Sequence, residues 1–195
     1  MFFLVRHGKT DYSEKNTKIY QGFGVNLAPL SEKGMRQAKK AAKDPRLKDA
    51  EMILSSPYTR ALQTAAIISR KTGTKIVVET ELHEWLANKD YIVLPEDLAE
   101  QNYEEYRALG GEYPPGKTKD WEDRTTLKNR LNGVLTKYAD LKKVIVVCHG
   151  TMIEAASGCR LKTGGIIEYT GFRTYPSRHP ASTIPATAEM YTEYD

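Results

Sequence analysis

The chain is 195 residues long, a length that favours one domain spanning residues 1–195. Hydrophobic residues make up 40% and charged residues 28%, so the composition is globular and excludes a disordered chain. Lysine and arginine number 29 against 25 aspartates and glutamates, an excess too small to indicate nucleic-acid binding. The same mild excess suits a small anionic substrate.

The N-terminal residues and the cysteines indicate the cellular compartment in which the protein is expected. Residues 1–6 lead into an apolar run without a basic leader, and no apolar stretch approaches the roughly 20 residues of a membrane span. Cys148 and Cys159 are the only cysteines, and Cys148 lies in an apolar run, so we expect free thiols and a reducing environment. These features predict a cytoplasmic protein with no membrane partner.

Short apolar runs alternate with helical periodicity, which is the pattern of an α/β fold. Buried strands are predicted at residues 2–5, 52–54, 76–78 and 144–148. Ser31 can cap a first helix, which Pro45 ends, and a second helix starts near Pro57 and stops at Gly73. A third helix is predicted from about Trp121, and a further one follows the last strand.

Two segments depart from this alternation. Residues 85–120 are rich in Tyr, Glu and Gly, with turn markers at 110–111 and 114–116, and we predict a lid or cap inserted there. The tail from Thr174 contains three prolines and then a strand-like run at 189–194, which predicts an edge strand.

Two histidines follow directly on predicted strands. Arg6-His7-Gly8 ends the first strand, and His149-Gly150 ends the strand at 144–148. Ligands bind at the carboxyl ends of strands in α/β sheets, and neighbouring strands lie about 4.8 Å apart. If these two strands are adjacent, both imidazoles can reach one phosphorus atom. Each motif alone is also compatible with a histidine that merely caps its strand.

The run from Ser55 to Ala65 has the same form, since a strand leads into the N-terminus of a helix. Arg60 falls in the first helical turn, where unpaired N–H groups and a planar guanidinium together suit a phosphate. The alternative interpretation is an arginine on the surface of a helix.

Taken together and in order, these motifs resemble the signatures of the histidine phosphatase (phosphoglycerate mutase-like) superfamily. The matching segments are Arg6-His7-Gly8-Lys9-Thr10, Gln21-Gly22, Leu30-Ser31-Glu32-Lys33-Gly34, Ser56-Pro57-Tyr58-Thr59-Arg60-Ala61-Leu62-Gln63-Thr64-Ala65 and His149-Gly150. The resemblance implies a three-layer α/β/α fold with a mainly parallel sheet. It also implies a phosphate pocket of Arg6, His7, Arg60 and His149, in which His7 is the nucleophile.

Other site residues follow from the same resemblance. Ser13, Gln21, Gly22 and Gly150 are expected to contribute to substrate binding. A general acid must protonate the leaving alkoxide, and Leu82-His83-Glu84 resembles the stretch that supplies it, with Glu84 as the candidate. The neighbouring alternatives are Glu79 and Glu81, and His83 is interpreted as non-catalytic.

The sequence also departs from the family pattern. Tyr12-Ser13 replaces the common Trp-Asn, and Lys9 stands where Glu or Gln is frequent, so Ser13 or a backbone N–H would replace a missing amide. The glycine-and-acid stretch that usually follows the catalytic Glu is absent from residues 85–91. These changes leave the predicted reaction centre intact, but the identity of the substrate does not follow from the resemblance.

The sequence therefore predicts a phosphoric monoester hydrolase, related to the histidine acid phosphatases, that acts on a small phosphorylated metabolite. Four histidines and no cysteine pair with zinc spacing predict a metal-independent reaction without a cofactor. The alternatives are a phosphoglycerate mutase-type phosphotransferase, a protein phosphohistidine phosphatase and a non-catalytic phosphate-binding module. The oligomeric state is open.

Overall fold

The computed structural model describes residues 1–15 and 24–171, and this part of the chain contains one sheet of five strands. The strands are β1 (Phe2–Arg6), β2 (Met52–Ser55), β3 (Ile76–Val78), β4 (Val144–Cys148) and β5 (Ile166–Tyr169). Their order is β3-β2-β4-β1-β5, and only β5 is antiparallel to its neighbour. The predicted mainly parallel sheet is confirmed.

Six α-helices accompany the sheet in the described residues. They are α1 (Gly24–Leu27), α2 (Glu32–Ala41), α3 (Thr59–Thr72), α4 (Glu96–Ala108), α5 (Arg124–Thr136) and α6 (Gly150–Ser157). Short 3-10 turns occupy Pro45–Leu47 and Thr80–Leu82. None of the helices in this part of the chain is long and apolar enough to cross a membrane.

Alternating side chains of the strands build two apolar layers. Val5 of β1 packs in one cluster with Ile68 of α3, whereas Leu4 packs in another with Leu131 of α5 and Met152 of α6. Successive residues of a strand point to opposite faces, so both faces of the sheet are covered by helices. This is the predicted three-layer α/β/α fold.

Capping side chains set the helix boundaries. Ser31 caps α2 as predicted, because its Oγ accepts the N–H of Gly34 at 3.1 Å. The third predicted helix begins at Arg124 rather than near Trp121, since the Asp123 carboxylate accepts the N–H of Thr126 at 2.6 Å. The edge strands of the described sheet are β3, which we predicted, and β5, which we did not, and the strand predicted at 189–194 lies outside the described residues.

The segment at 85–120 contains helix α4 and a cluster of aromatic side chains. The ring of Tyr106 lies 5.4 Å from those of Trp85 and Trp121, and Tyr113 lies 4.9 Å from Trp121. Tyr106 and Trp121 are buried against the core. The aromatic side chains therefore anchor the segment to the sheet, and its role as a lid stays a prediction.

Two glycines allow helix α2 to approach the loop that follows His7. A Cβ atom on Gly34 would lie 2.1 Å from the carbonyl oxygen of Lys9, and one on Gly8 would lie 2.4 Å from that of Gly34. The loop is also hydrogen-bonded to the helix, since the Lys9 N–H donates to the Gln37 Oε1 at 2.8 Å. The Leu-Ser-Glu-Lys-Gly motif thus supports the loop that carries His7.

We expect Gly34→Ala to lower the free energy of unfolding by about 1–3 kcal/mol, because the added methyl group collides with backbone that cannot move freely. Urea unfolding measures this loss. Gly133→Ala in α5 is the matched control, since its added Cβ meets nothing within 4 Å. The control should be neutral or gain up to about 1 kcal/mol from helix propensity. Equal stabilities of the two variants would contradict the close approach at Gly34.

Candidate active site

The two histidines predicted to share a site do lie side by side. Because β1 and β4 are paired in parallel with Arg6 opposite Cys148, His7 and His149 leave the sheet at the same edge. Their ring centroids are 5.1 Å apart, with the rings inclined at 63°. Both side chains are buried, so the edge of the sheet holds two imidazoles at the spacing of a shared ligand.

The hydrogen bonds of His7 define which nitrogen can react. Its Nδ1 lies 2.7 Å from the carbonyl oxygen of Gly8, which can only accept, so Nδ1 carries the hydrogen. Nε2 therefore presents a lone pair, and the Nε–H of Arg60 donates to it at 3.3 Å. Burial and the charges of Arg60 and Arg6 lower the pKa of His7 to about 3, although the Gly8 bond opposes them. His7 is consequently neutral and nucleophilic near pH 7.

Arg60 is buried in the first turn of α3, with 3% of its surface exposed. Its Nη1 donates to the carbonyl oxygen of Val25 at 2.7 Å, and its guanidinium lies 5.0 Å from the centre of the Tyr58 ring. These contacts fix the guanidinium against His7. The structure thus brings together Arg60 and His7 as the motifs predicted.

His149 is held by a serine that the sequence did not single out. The hydroxyl oxygen of Ser56 lies 2.7 Å from Nε2 of His149 and accepts the N–H of Tyr58 at 3.3 Å. We assign the Ser56 hydrogen to this contact, so that the hydroxyl donates to Nε2 and His149 carries its own hydrogen on Nδ1. Burial, followed by the charges of Arg60 and other groups, holds the pKa of His149 well below its usual value. His149 is thus a neutral donor.

Arg6 lies across the start of helix α6. Its Nη1 donates to the carbonyl oxygen of Leu161 at 2.6 Å. A Cβ atom on Gly150 would lie 2.8 Å from the Cζ of Arg6, so glycine is needed there for the guanidinium to fit. Among the described residues, the buried side-chain atoms without a hydrogen-bond partner are Nε of Arg6 and Nδ1 of His149. Unsatisfied buried donors of this kind indicate a site for an anion.

Glu84 lies beside this pocket, at the beginning of α6. Its Oε1 accepts the N–H of Trp85 at 2.9 Å, and its Oε2 lies 3.5 Å from the N–H of Thr151, two residues after His149. Of the two alternatives, Glu79 is bound by Lys137 at 2.7 Å and by Tyr138 at 2.6 Å, and Glu81 is exposed. Geometry therefore favours Glu84 as the carboxyl group nearest the pocket.

The ring of His83, next to Glu84, is occupied by contacts within the protein. Its Nδ1 donates to the carbonyl oxygen of Glu84 at 2.7 Å, which leaves Nε2 as the acceptor of the Tyr91 hydroxyl at 3.4 Å. Burial, followed by the charge of Arg130, lowers the pKa of His83. Both ring nitrogens are therefore engaged with protein groups.

The remaining predicted binding residues are less closely tied to the pocket. Ser13 lies on an exposed turn, where its N–H donates to the Asp11 carboxylate at 3.0 Å. It borders a cavity of about 510 Å³ together with Thr59, the residue before Arg60. Gln21 and Gly22 lie outside the described residues.

Thr64 is a second supporting residue that sequence reasoning missed. Its hydroxyl donates to the carbonyl oxygen of Arg60 at 2.8 Å and accepts the N–H of Gly8 at 3.2 Å. One side chain thus connects the loop after His7 to helix α3. Ser56 and Thr64 both lie inside the Ser56-to-Ala65 motif, whose length was the available signal that more than Arg60 was involved.

Comparison with known proteins agrees with this geometry. Residues 2–168 match the model of the histidine phosphatase superfamily (branch 1), so the chain belongs to that superfamily. A protein of Cronobacter sakazakii named "Probable phosphoglycerate mutase GpmB" is 28% identical over 167 residues, which are 83% of this chain and 73% of that protein.

Solved structures of mycobacterial proteins are also similar. "Mycobacterial hydrolase 1" is 26% identical with a TM-score of 0.60, covering 80% of this chain and 76% of that one. A mycobacterial glucosyl-3-phosphoglycerate phosphatase, solved in complex with VO3, is 26% identical with a TM-score of 0.59, covering 84% and 82% of the two chains. The named relatives thus include both a mutase and a phosphatase.

The lowered pKa of His7 can be tested directly by following the protonation of its ring with pH. Because its pKa is lowered to about 3, the neutral form predominates at any higher pH. We therefore expect the ¹⁵N NMR signals of His7 in phosphate-free protein to stay those of a neutral, Nδ1-protonated ring between about pH 5 and about pH 8. The His7→Ala variant assigns the signals. A midpoint near the ordinary value of about 6.5 would contradict the burial and charge argument.

Proposed function

We propose that the chain is a phosphomonoesterase that hydrolyses a small phosphorylated metabolite through a phosphohistidine intermediate on His7. One observation carries this proposal. The unprotonated Nε2 of His7 lies in a buried pocket beside Arg60, and two buried donors there, Nε of Arg6 and Nδ1 of His149, have no partner among the described residues. A phosphate group is the ligand whose charge and oxygens would satisfy them.

In this proposal Arg6, Arg60 and His149 hold the non-bridging oxygens of the phosphate. The charge spread over these oxygens in the transition state is what fixed guanidinium and imidazole donors stabilise best. Two guanidiniums also supply the positive charge that a metal ion would otherwise bring, so we propose that the reaction requires neither a metal nor a cofactor.

The first step transfers the phosphoryl group to the protein. Nε2 of His7 attacks phosphorus in line with the leaving oxygen, forming the N–P bond as the ester P–O bond breaks. The leaving alkoxide takes the proton of Glu84, which becomes a carboxylate, and the alcohol departs. The position of Glu84 supports this role, because its carboxyl group lies beside the pocket, with Oε2 3.5 Å from the N–H of Thr151.

The second step regenerates the enzyme. The carboxylate of Glu84 takes a proton from water, the resulting hydroxide oxygen bonds to phosphorus, and the N–P bond to His7 breaks. Inorganic phosphate leaves, and both side chains regain their starting protonation. Splitting the reaction in this way allows one acid–base group to serve both halves.

The outer part of the site would recognise the rest of the substrate. We propose that Ser13, Gly150 and the pair Gln21 and Gly22 contribute to binding there, and that residues 85–120 act as a lid. Two contacts support the lid: an ion pair joins Lys15 to Glu96 of α4, and the Tyr91 hydroxyl contacts His83. Residues 85–120 thus contact the loop after His7 at Lys15 and the segment that carries Glu84 at His83.

A second candidate is a mutase that returns the phosphate to a sugar acid, because one relative carries a mutase name. Assays with phosphoglycerates distinguish the two. A phosphatase releases inorganic phosphate from its preferred ester, whereas a mutase interconverts the isomers and needs a bisphosphorylated primer. A screen of phosphorylated metabolites, run beside the mutase assay, would identify the substrate class.

His7→Ala should abolish turnover, because the nucleophile that takes up the phosphoryl group is lost. Rapid acid-free quenching of the wild type with ³²P-labelled substrate should trap an acid-labile, alkali-stable phosphate that maps to His7 by peptide analysis. A His83→Gln variant is the control and should still form the label on His7. Undiminished hydrolysis by His7→Ala would mean that water or another side chain attacks directly.

Glu84→Gln should slow the enzyme in proportion to how poor the leaving group is. Its kcat/KM for an alkyl phosphate should fall by about 10² to 10⁴, the usual range for general acid catalysis. With p-nitrophenyl phosphate the loss should be much smaller, because nitrophenolate departs without protonation. The ratio kcat/KM reports only the steps up to departure of the alcohol, so a slow second step does not interfere. Equal losses on both esters would make Glu84 a binding residue.

A further inference from the structure

A buried ion pair lies just outside the phosphate pocket. The Nε and Nη2 atoms of Arg130, on helix α5, donate to the two carboxylate oxygens of Glu122 at 2.7 and 2.9 Å. The side chains are only 10% and 3% exposed. Burying two charges is costly, and replacing such pairs by apolar side chains often leaves stability unchanged or raises it. A buried pair of this kind therefore calls for an explanation other than stability.

The partners of this pair all lie in the segment that carries Glu84. Nη1 of Arg130 donates to the carbonyl oxygens of Glu81 and, at 3.1 Å, of His83. On the other side of Glu84, the Glu122 carboxylate accepts the N–H of Leu86 at 3.3 Å.

A further contact involves the backbone of Glu122. Its carbonyl oxygen accepts the indole N–H of Trp85 at 2.7 Å, and its own N–H donates to the carbonyl oxygen of Leu86 at 3.0 Å. Hydrogen bonds thus hold residues 81–86 both before and after Glu84. The carboxylate of Glu84 itself takes no part in the ion pair. The pair fixes the backbone from which this carboxylate projects.

We propose that Arg130 and Glu122 are positioning residues for the general acid, holding Glu84 at the start of helix α6, within reach of the leaving oxygen. The inference rests on the proposed role of Glu84 in the reaction. A displacement of about 1 Å in a reacting group can cost about 10² in rate, so a rigid support of this segment has a direct catalytic consequence.

The experiment compares two esters in three variants. Arg130→Lys keeps a charge but lacks the planar fork needed to reach Glu122 and two carbonyl groups together. Arg130→Met removes every contact and leaves Glu122 buried alone, so it can fail to fold. The double variant Glu122→Leu/Arg130→Met removes the pair without stranding a charge, although it also removes the hydrogen bonds to Glu81, His83 and Leu86. Circular dichroism and urea unfolding therefore establish that it is folded before it is assayed.

The expected result is a selective loss. In Arg130→Lys and in the double variant, kcat/KM for an alkyl phosphate should fall by about 10- to 100-fold. The value for p-nitrophenyl phosphate and the inhibition constant of vanadate should change little, because the phosphate end of the site is untouched. Adding the double variant to Glu84→Gln should cause no loss on the alkyl ester beyond that of Glu84→Gln alone, since the proton transfer that the pair supports is then already absent.

Arg46→Met is the matched control. Arg46 also forms a two-point pair, with Asp44 at 2.9 and 2.8 Å, but that pair is exposed and makes no contact with residues 81–86. It should leave both esters unaffected. Equal loss on both esters, full alkyl activity in the folded double variant, or additivity with Glu84→Gln would each overturn the positioning role.

The same data separate this inference from the proposed function. If Glu84→Gln itself shows no dependence on the leaving group, the role of Glu84 is wrong and the positioning proposal falls with it. If Glu84→Gln is selective and the Arg130 variants are not, only the positioning proposal is overturned.

Discussion

The parallel pairing of β1 with β4 is the constraint on which the site depends. The N–H of His7 donates to the carbonyl oxygen of Cys148 at 3.1 Å, which continues the ladder one residue past β1. The N–H of Ser56, after β2, likewise donates to the carbonyl oxygen of Val147 at 3.0 Å. Three strand ends therefore converge, and His7, His149 and Ser56 meet there. A slip of one residue would turn His7 to the other face of the sheet.

Much of this arrangement could be predicted because its signals are local. The strands are short apolar runs, Ser31 is a capping residue followed by an amphipathic helix, and Gly73 ends α3 with φ 75°. Strand β5 was not predicted because its apolar run, Ile166 and Ile167, is only two residues long before the exposed Glu168 interrupts it. Helix α4 was not predicted because charged residues interrupt its apolar face.

The supporting contacts could not be predicted, because they join residues far apart in the chain. Ser56 and His149 are 93 positions apart, and Arg130 reaches carbonyl groups 49 and 47 positions earlier. Neither the hydrophobic periodicity of the sequence nor the spacing of its motifs indicates such contacts. They decide the tautomer of a histidine and the placement of a carboxyl group, which are the properties on which the chemistry depends.

Burial gives the pocket its chemical character. His7 and His149 are almost fully shielded from water, so burial, and after it the charge of Arg60, lowers the pKa of both imidazoles and keeps them neutral. A neutral His7 is the state required for attack, whereas an imidazolium would be inert. The charge of Arg60, which adds to the effect of burial on the pKa of His7, is also a charge that would attract a phosphate, so in the proposed mechanism one side chain serves both purposes.

Helix α6 joins the two ends of the site. His149 is its N-cap, Gly150 makes room for Arg6, and the N–H of Thr151 lies near the Glu84 carboxylate. Negative groups are stabilised at this end of a helix, which suits the phosphate oxygens and the carboxylate form of Glu84 that exists between the two steps of the proposed reaction. In the proposed mechanism their supports are separate, because strand ends fix the residues around the phosphate, whereas the pair formed by Arg130 and Glu122 fixes the segment that carries Glu84. The proposal therefore implies that substrate binding and proton transfer can vary independently within one fold. Residues 85–120 begin next to Glu84, on the side where the proposed mechanism places the leaving group.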